Sequence, residues 1–137
     1  MAGDSQSGSM QGVMLSVLRI VTGFTFFLYG GNKLFGWFGG VDGAGGSVPI
    51  ASFPFGVAGV LEVVGGALII LGLFTRPVAF VLAGQMAVAY FMVHAPNGFL
   101  PGANVNMGMP AVLFCFIYLY LAVAGAGTYC VDEMRRK

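Results

Sequence analysis

A single carboxylate, Glu62, stands in residues 55–74, a run otherwise made of apolar residues and glycine. The other side chains that could hold or move a proton with it are Lys33, Tyr29, Tyr90 and His94. A carboxylate, an ammonium, phenols and an imidazole gathered together suit a small polar headgroup. They also suit proton exchange with it, because histidine titrates near neutral pH and burial shifts a carboxylate towards the same range. Lys33, Glu62, Tyr90 and His94 are therefore the candidate polar pocket. A structural use competes with this one, in which Glu62 forms an interior ion pair with Arg19. His94 also fits an ordinary helix end at a membrane interface. No second histidine or carboxylate lies at metal-ligand spacing from His94, so no metal is expected. Cys115 and Cys130 lie fifteen apart, which is neither a redox pair nor a zinc spacing; a buried cysteine ordinarily serves as a small hydrophobe. No haem-attachment motif, phosphate loop or hydrolase triad occurs, and no covalently bound cofactor is expected.

The elements that must position these groups are membrane helices. Of 137 residues 58% are hydrophobic and 8% charged, against about 25% charged in a soluble domain. Residues 55–74 make a helix about 30 Å long, the thickness of a bilayer core. Each Val, Leu, Ile or Phe in it favours insertion by roughly 0.3 to 0.6 kcal/mol, and one ionisable residue costs roughly 2.5 to 3.5 kcal/mol. The helix inserts despite Glu62. Apolar runs predict four spans at about 13–31, 55–74, 77–94 and 109–125, an all-α integral membrane bundle of one domain over residues 13–126. Residues 1–12 read as a polar tail without the basic region of a secretory signal, and residues 127–137 as a C-terminal tail. Pro77 suits the first position of the third helix.

Four spans put both termini on one side, with Arg76, Arg135, Arg136 and Lys137, while Lys33 lies in the connections opposite. That asymmetry places the termini in the cytoplasm. The Gly-rich connection at 36–54 and the Asn-containing connection at 95–108 then share the outer face; Trp37 on that side and Arg76 on the cytoplasmic side are the interface anchors. Arg19 shares a helix face with Thr22, Gly23, Phe26, Tyr29, Gly30 and Lys33, and Glu62 shares one with Gly59, Gly65, Gly66 and Ile69. Stripes of small residues let membrane helices approach, and polar groups in them face inward. Arg19 is the buried structural charge of this reading. Side chains lean towards their helix N-termini, which turns Arg19 inward and Glu62 outward and favours Lys33, Tyr90 and His94 as partners.

Several separated runs carry a resemblance: LRIVTGFTFFLYGGNKLFGWFGG, GVLEVVGGALIILGLFTRPVAF, QMAVAYFMVHAPNGF and LFCFIYLYLAVAGAGTYCVD. Over residues 18–132 the chain resembles the DoxX family of small four-helix bacterial membrane proteins. Arg19, Lys33, Glu62, Arg76, His94 and Asp132 match the family's recurrent polar positions. The chain departs from the pattern at 106–110, where many relatives have a glutamate-containing start to the fourth helix, and at Cys130, where serine is usual. The family takes its name from a subunit of a thiosulfate:quinone oxidoreductase, and other members are associated with thiol and oxidative-stress systems.

The resemblance thus implies a bacterial inner-membrane, multi-pass subunit of a quinone-linked redox system, its outer pocket taking a quinone headgroup or a small sulfur substrate. The competing expectation is a non-catalytic accessory subunit of a larger respiratory or photosynthetic complex. Both imply the lipid bilayer and other membrane subunits as partners. Nucleic acid is not expected, since the net charge is +1 and no basic patch precedes the last three residues. Without an internal repeat or a broken helix, alternating-access transport is disfavoured.

Overall fold

The computed structural model describes residues 2–97 and 108–135. All the regular elements among them are helical: α1 (Ala2–Phe35), α2 (Phe55–Leu71), α3 (Thr75–Ala89), α4 (Met109–Ala124) and α5 (Val131–Arg135), with short 3₁₀ turns at Trp37–Gly39 and Ala95–Asn97 and a π-helical turn at Tyr90–His94. Two stretches, Met10–Phe35 and Thr75–His94, are long and apolar enough to cross a membrane, and Phe55–Leu71 and Met109–Ala124 are shorter apolar helices. Much of the expected second connection, including Asn106, lies outside the described residues, as do Arg136 and Lys137. The chain divides into two units, one running to Thr75 and resuming at Ala126, the other spanning Arg76–Gly125.

In the first unit α1 and α2 run antiparallel along a glycine seam. Gly23 and Gly30 on α1, and Gly59 and Gly66 on α2, are each seven residues apart, close to two helical turns, so each pair lies on one face. A Cβ on Gly23 would lie 3.0 Å from the Gly66 carbonyl oxygen, and one on Gly66 2.9 Å from the Gly23 carbonyl oxygen. One on Gly30 would lie 2.7 Å from the Val63 amide nitrogen and 2.9 Å from the Glu62 Cβ. The backbones touch where glycine permits it; methyls of Val63 and Ile69 also border the gap, but the backbone atoms at similar distances cannot yield. Gly30→Ala is therefore expected to push the helices apart and cost about 1–3 kcal/mol, read as a lower melting temperature of the detergent-solubilised protein.

The helix ends differ from those the sequence suggests. Helix α1 begins at Ala2 and runs through the polar stretch expected to be a tail; no proline interrupts residues 2–12, and extending a formed helix needs no new nucleus. It also continues past residue 31 to Phe35. Helix α2 stops at Leu71, short of residue 74, because Gly72 adopts φ +71°. The Gly72 amide bonds to the Ile69 carbonyl and the Leu73 amide to the Leu68 carbonyl, 3.1 and 3.0 Å, a Schellman close. Helix α3 begins at Thr75, which puts Pro77 third, still among positions whose N–H has no intrahelical partner.

The connection from Gly36 to Pro54 is tied down rather than loose. Asn32 Nδ2 donates to the carbonyls of Trp37 (2.8 Å) and Gly40 (3.1 Å). The Val48 amide satisfies the Lys33 carbonyl at the end of α1, 2.8 Å. Asp42 Oδ1 accepts from the amides of Ala44 and Gly46, 2.9 and 2.8 Å, and those two bonds hold its carboxyl below the ordinary range. Trp37 lies against Gly31, its ring 5.8 Å from that of Phe27 and 5.3 Å from that of Phe35.

In the second unit α3 passes into the π-helical turn just before Pro96. Proline has no N–H to return to the carbonyl four residues back. The last amide before it, Ala95, bonds five residues back to Tyr90 instead. Helix α4 carries Pro110 in its first turn, where an N–H is dispensable, and ends on the Gly125 amide bonded to Leu121, 2.8 Å.

Candidate functional site: a buried ion pair on the glycine seam

Glu62 sits on the seam face of α2 between Gly59 and Gly66, and Lys33 ends the same face of α1. The Lys33 Nζ donates to both carboxylate oxygens of Glu62, 2.7 Å to Oε1 and 2.6 Å to Oε2. The Glu62 side chain is 3% exposed and that of Lys33 23% exposed. The local helix chemistry fixes both stems: the Glu62 Cβ packs under Gly30, and a Cβ on Gly59 would meet the Lys33 Cβ at 3.4 Å. A charge held in an apolar helix pair is thus cancelled at its own position, the usual condition for burying one.

Arg19 is equally buried but does not meet Glu62, which corrects the interior Arg19–Glu62 pairing. Its Nε donates to the Ile69 carbonyl (2.9 Å) and its Nη2 to the carbonyls of Ile70 (3.3 Å) and Tyr129 (2.7 Å), while Nη1 donates to the Ala126 carbonyl. Ile69 lies seven residues beyond Glu62, about 10 Å along α2. The last turn of a helix exposes carbonyls and a partial negative charge, and a guanidinium with five donors answers both. Arg19 thereby ties the end of α2 to the segment after Ala126.

That segment is not a free tail. The Tyr129 amide donates to Ser16 Oγ (2.9 Å), the Thr128 amide to the Gly12 carbonyl (3.1 Å) and the Asp132 amide to the Gly72 carbonyl (2.9 Å). Asp132 in turn accepts from the amides of Phe74 (2.8 Å) and Thr75 (3.0 Å), capping the start of α3 from fifty-seven positions away. Partial burial pushes the Asp132 carboxyl up, but the amides of Thr75 and Phe74 and the nearby Arg135 outweigh it and leave the group below its ordinary range. A depressed carboxylate adds stability that is fully present above its unfolded pKa, about 3.9, and is lost as pH falls through the lower folded value. Asp132→Ala is expected to remove a cap worth about 1 kcal/mol. The difference in melting temperature between the variant and the parent should be present at pH 7 and shrink below about pH 4.

Tyr90 and His94 belong to the second unit. Tyr90 is buried, its ring edge-on to Phe91 at 5.5 Å and 6.5 Å from the imidazole of His94. They lie at the first and last positions of the π-helical turn. Arg76 Nη1 donates to the Val123 carbonyl in the last turn of α4, again a cation at a helix C-terminus. Trp37 is 37% exposed against α1. Both cysteines are free thiols. Cys130 Sγ accepts from the Glu133 amide at 3.3 Å and lies 3.6 Å from the Gly127 carbonyl. No cluster of three or more potential metal ligands occurs among the described residues.

Sequence reasoning did not single out Ser16, Asn32 or Asp42. Ser16 was within reach: it lies three residues before Arg19 on the same helix face, in the same small and polar stripe. Asn32 and Asp42 bind backbone atoms of a glycine-rich loop, which leave no pattern in side-chain types.

Comparison with known proteins places these features in a wider set. The family model described as DoxX matches residues 14–95, the stretch that carries Arg19, Lys33, Glu62, Tyr90 and His94. An uncharacterized protein of Haemophilus influenzae is 40% identical over 122 residues, 87% of this chain and 88% of that protein. A Bacillus subtilis protein named "Putative oxidoreductase CatD" is 32% identical over 90 residues, 66% of each chain. No solved structure matches.

Proposed function

The chain belongs to the DoxX family, and from that premise we propose that it is an integral membrane subunit of a quinone-linked redox system. The observation that carries this reading is the Lys33–Glu62 pair, a polar element held in an apolar helix pair by glycines that exclude anything bulkier. The oxidoreductase name of the Bacillus subtilis relative supports the redox assignment. In this reading α1, α2, the α3 helix with its π-helical turn, and α4 make four passes through the bacterial inner membrane, with both termini in the cytoplasm. Helices α2 and α4, at about 24–26 Å, suit crossings where the bilayer thins locally and flanking residues snorkel. Lys33 and Glu62 in the first unit are the polar groups offered to a quinone headgroup or a small sulfur substrate, Tyr90 and His94 are the further candidates that the second unit carries, and the electron-transfer partner is another membrane subunit. Glu62→Gln and His94→Ala are expected to lower quinone-dependent turnover in native membranes at least tenfold with the protein still folded and inserted. Unchanged turnover in both would overturn the reading.

A second reading, a non-catalytic accessory subunit of a larger respiratory or photosynthetic complex, is favoured by the use of Arg19, Arg76 and Asp132. All three are spent on backbone groups of this chain. Co-purification in fixed stoichiometry with a larger complex, together with full activity of the two variants, would select it.

A further inference from the structure

We propose that the Lys33–Glu62 pair makes its position a binding site for an uncharged, carbonyl-type acceptor and excludes small sulfur oxyanions. The inference rests on the quinone-linked reading and divides the two ligand classes which that reading leaves open. A lysine ammonium carries three N–H donors. Two of Lys33's go to the two oxygens of Glu62, and these are the interactions its Nζ makes among the described residues. The third has no partner among the described residues.

Exposure sets which group a ligand meets. Glu62 is enclosed, at 3%, and Lys33 is partly open, at 23%. The face presented outward is therefore one N–H donor belonging to an ion pair whose charges already cancel. A quinone carbonyl accepts that N–H and brings no charge. Thiosulfate or sulfite would bring one or two negative charges within a few ångströms of the Glu62 carboxylate. The single ammonium cannot neutralise both, and in a medium poorer than water an unmatched charge is strongly disfavoured. The other buried cation of this unit cannot help, since Arg19 is committed to the carbonyls of Ile69, Ile70, Ala126 and Tyr129. Nor can the pair open easily to make room. Gly30 packs on the Glu62 Cβ and Gly59 on the Lys33 Cβ, so both side chains are held at their stems.

The test uses the full-length protein in phosphatidylcholine vesicles, with decylubiquinone and thiosulfate as probes. Trp37 is the sole tryptophan and lies against Gly31, two residues from Lys33, so quinone binding is read as quenching of its fluorescence. The parent should show saturable quenching that millimolar thiosulfate does not reverse. The double variant Lys33→Met with Glu62→Leu removes the donor and leaves no unpaired charge; its quenching midpoint should rise at least tenfold while its melting curve stays cooperative. Glu62→Gln leaves the ammonium uncancelled, and thiosulfate should then displace the quinone at concentrations at least tenfold lower than in the parent. Displacement by thiosulfate in the parent, at concentrations comparable to the quinone's own midpoint, would overturn the proposal. So would an unchanged midpoint in the folded double variant, which would leave the quinone reading standing. Absence of any saturable quenching in the parent would overturn both.

Discussion

Replacing Arg19 with methionine is expected to be the most damaging single change in the first unit. Arg19 is 1% exposed and its guanidinium serves four carbonyls, two at the end of α2 and those of Ala126 and Tyr129. Methionine fills most of the volume and supplies no donor. A buried acceptor left without its partner costs about 1–3 kcal/mol, and bonds to a charged donor are at the strong end. Four such bonds are not additive, but their joint loss is set at no less than about 3 kcal/mol by the same figures. The expected result is a fall in melting temperature of about 10 °C or more, and release of the C-terminal segment to protease added to solubilised protein. Arg19→Lys should recover a part only: a lysine point charge has three donors and lacks the planar fork that reaches four carbonyls in different directions. A lysine variant as stable as the parent would show that charge alone, and not the fork, holds this junction.

The second large effect is an asymmetry within the Lys33–Glu62 pair. Lys33→Met leaves a carboxylate that is 3% exposed with no counter-charge, and breaking a buried pair from one side costs about 3–5 kcal/mol. Glu62→Gln leaves the charge on the partner that is 23% exposed and so already partly hydrated. The glutamine also keeps an acceptor for Lys33. The order of stability should be parent, then Glu62→Gln, then Lys33→Met. Adding Glu62→Leu to Lys33→Met should restore most of what that single change loses, because a well-packed apolar pair is often as stable as the ion pair it replaces. Thermal melts of the four proteins in one detergent give this order, and equal losses for the two single variants would refute the asymmetry.

What the sequence made readable follows from what side-chain types encode. Apolar runs mark helices and their approximate extents, and the glycines at 23, 30, 59 and 66 mark the faces on which α1 and α2 approach. The small-residue stripe around Glu62 places the carboxylate inside. Partners that are backbone atoms leave no such mark. Arg19 looked available for Glu62 because both are charged and lie on interior helix faces, yet its structural partners are carbonyls, which every residue has. The role of Asp132 was hidden for the same reason: it caps α3 through two amides, and the cap lies on the far side of the intervening helices in sequence. The π-helical turn at Tyr90–His94 was unread although Pro96 announces it, because a proline signals that a helix must end and not how its last carbonyls will be satisfied.

The first unit is discontinuous, and this sets an order of events during synthesis. Helices α1 and α2 leave the ribosome with Arg19 able to reach the Ile69 and Ile70 carbonyls, while the Ala126 and Tyr129 carbonyls are still to be made. For the time needed to translate Arg76–Gly125, a guanidinium inside an apolar helix is only partly satisfied. The carbonyls of Ala126 and Tyr129 complete its bonding. A nascent chain truncated after Gly125 would carry two paired helices with an incompletely bonded arginine.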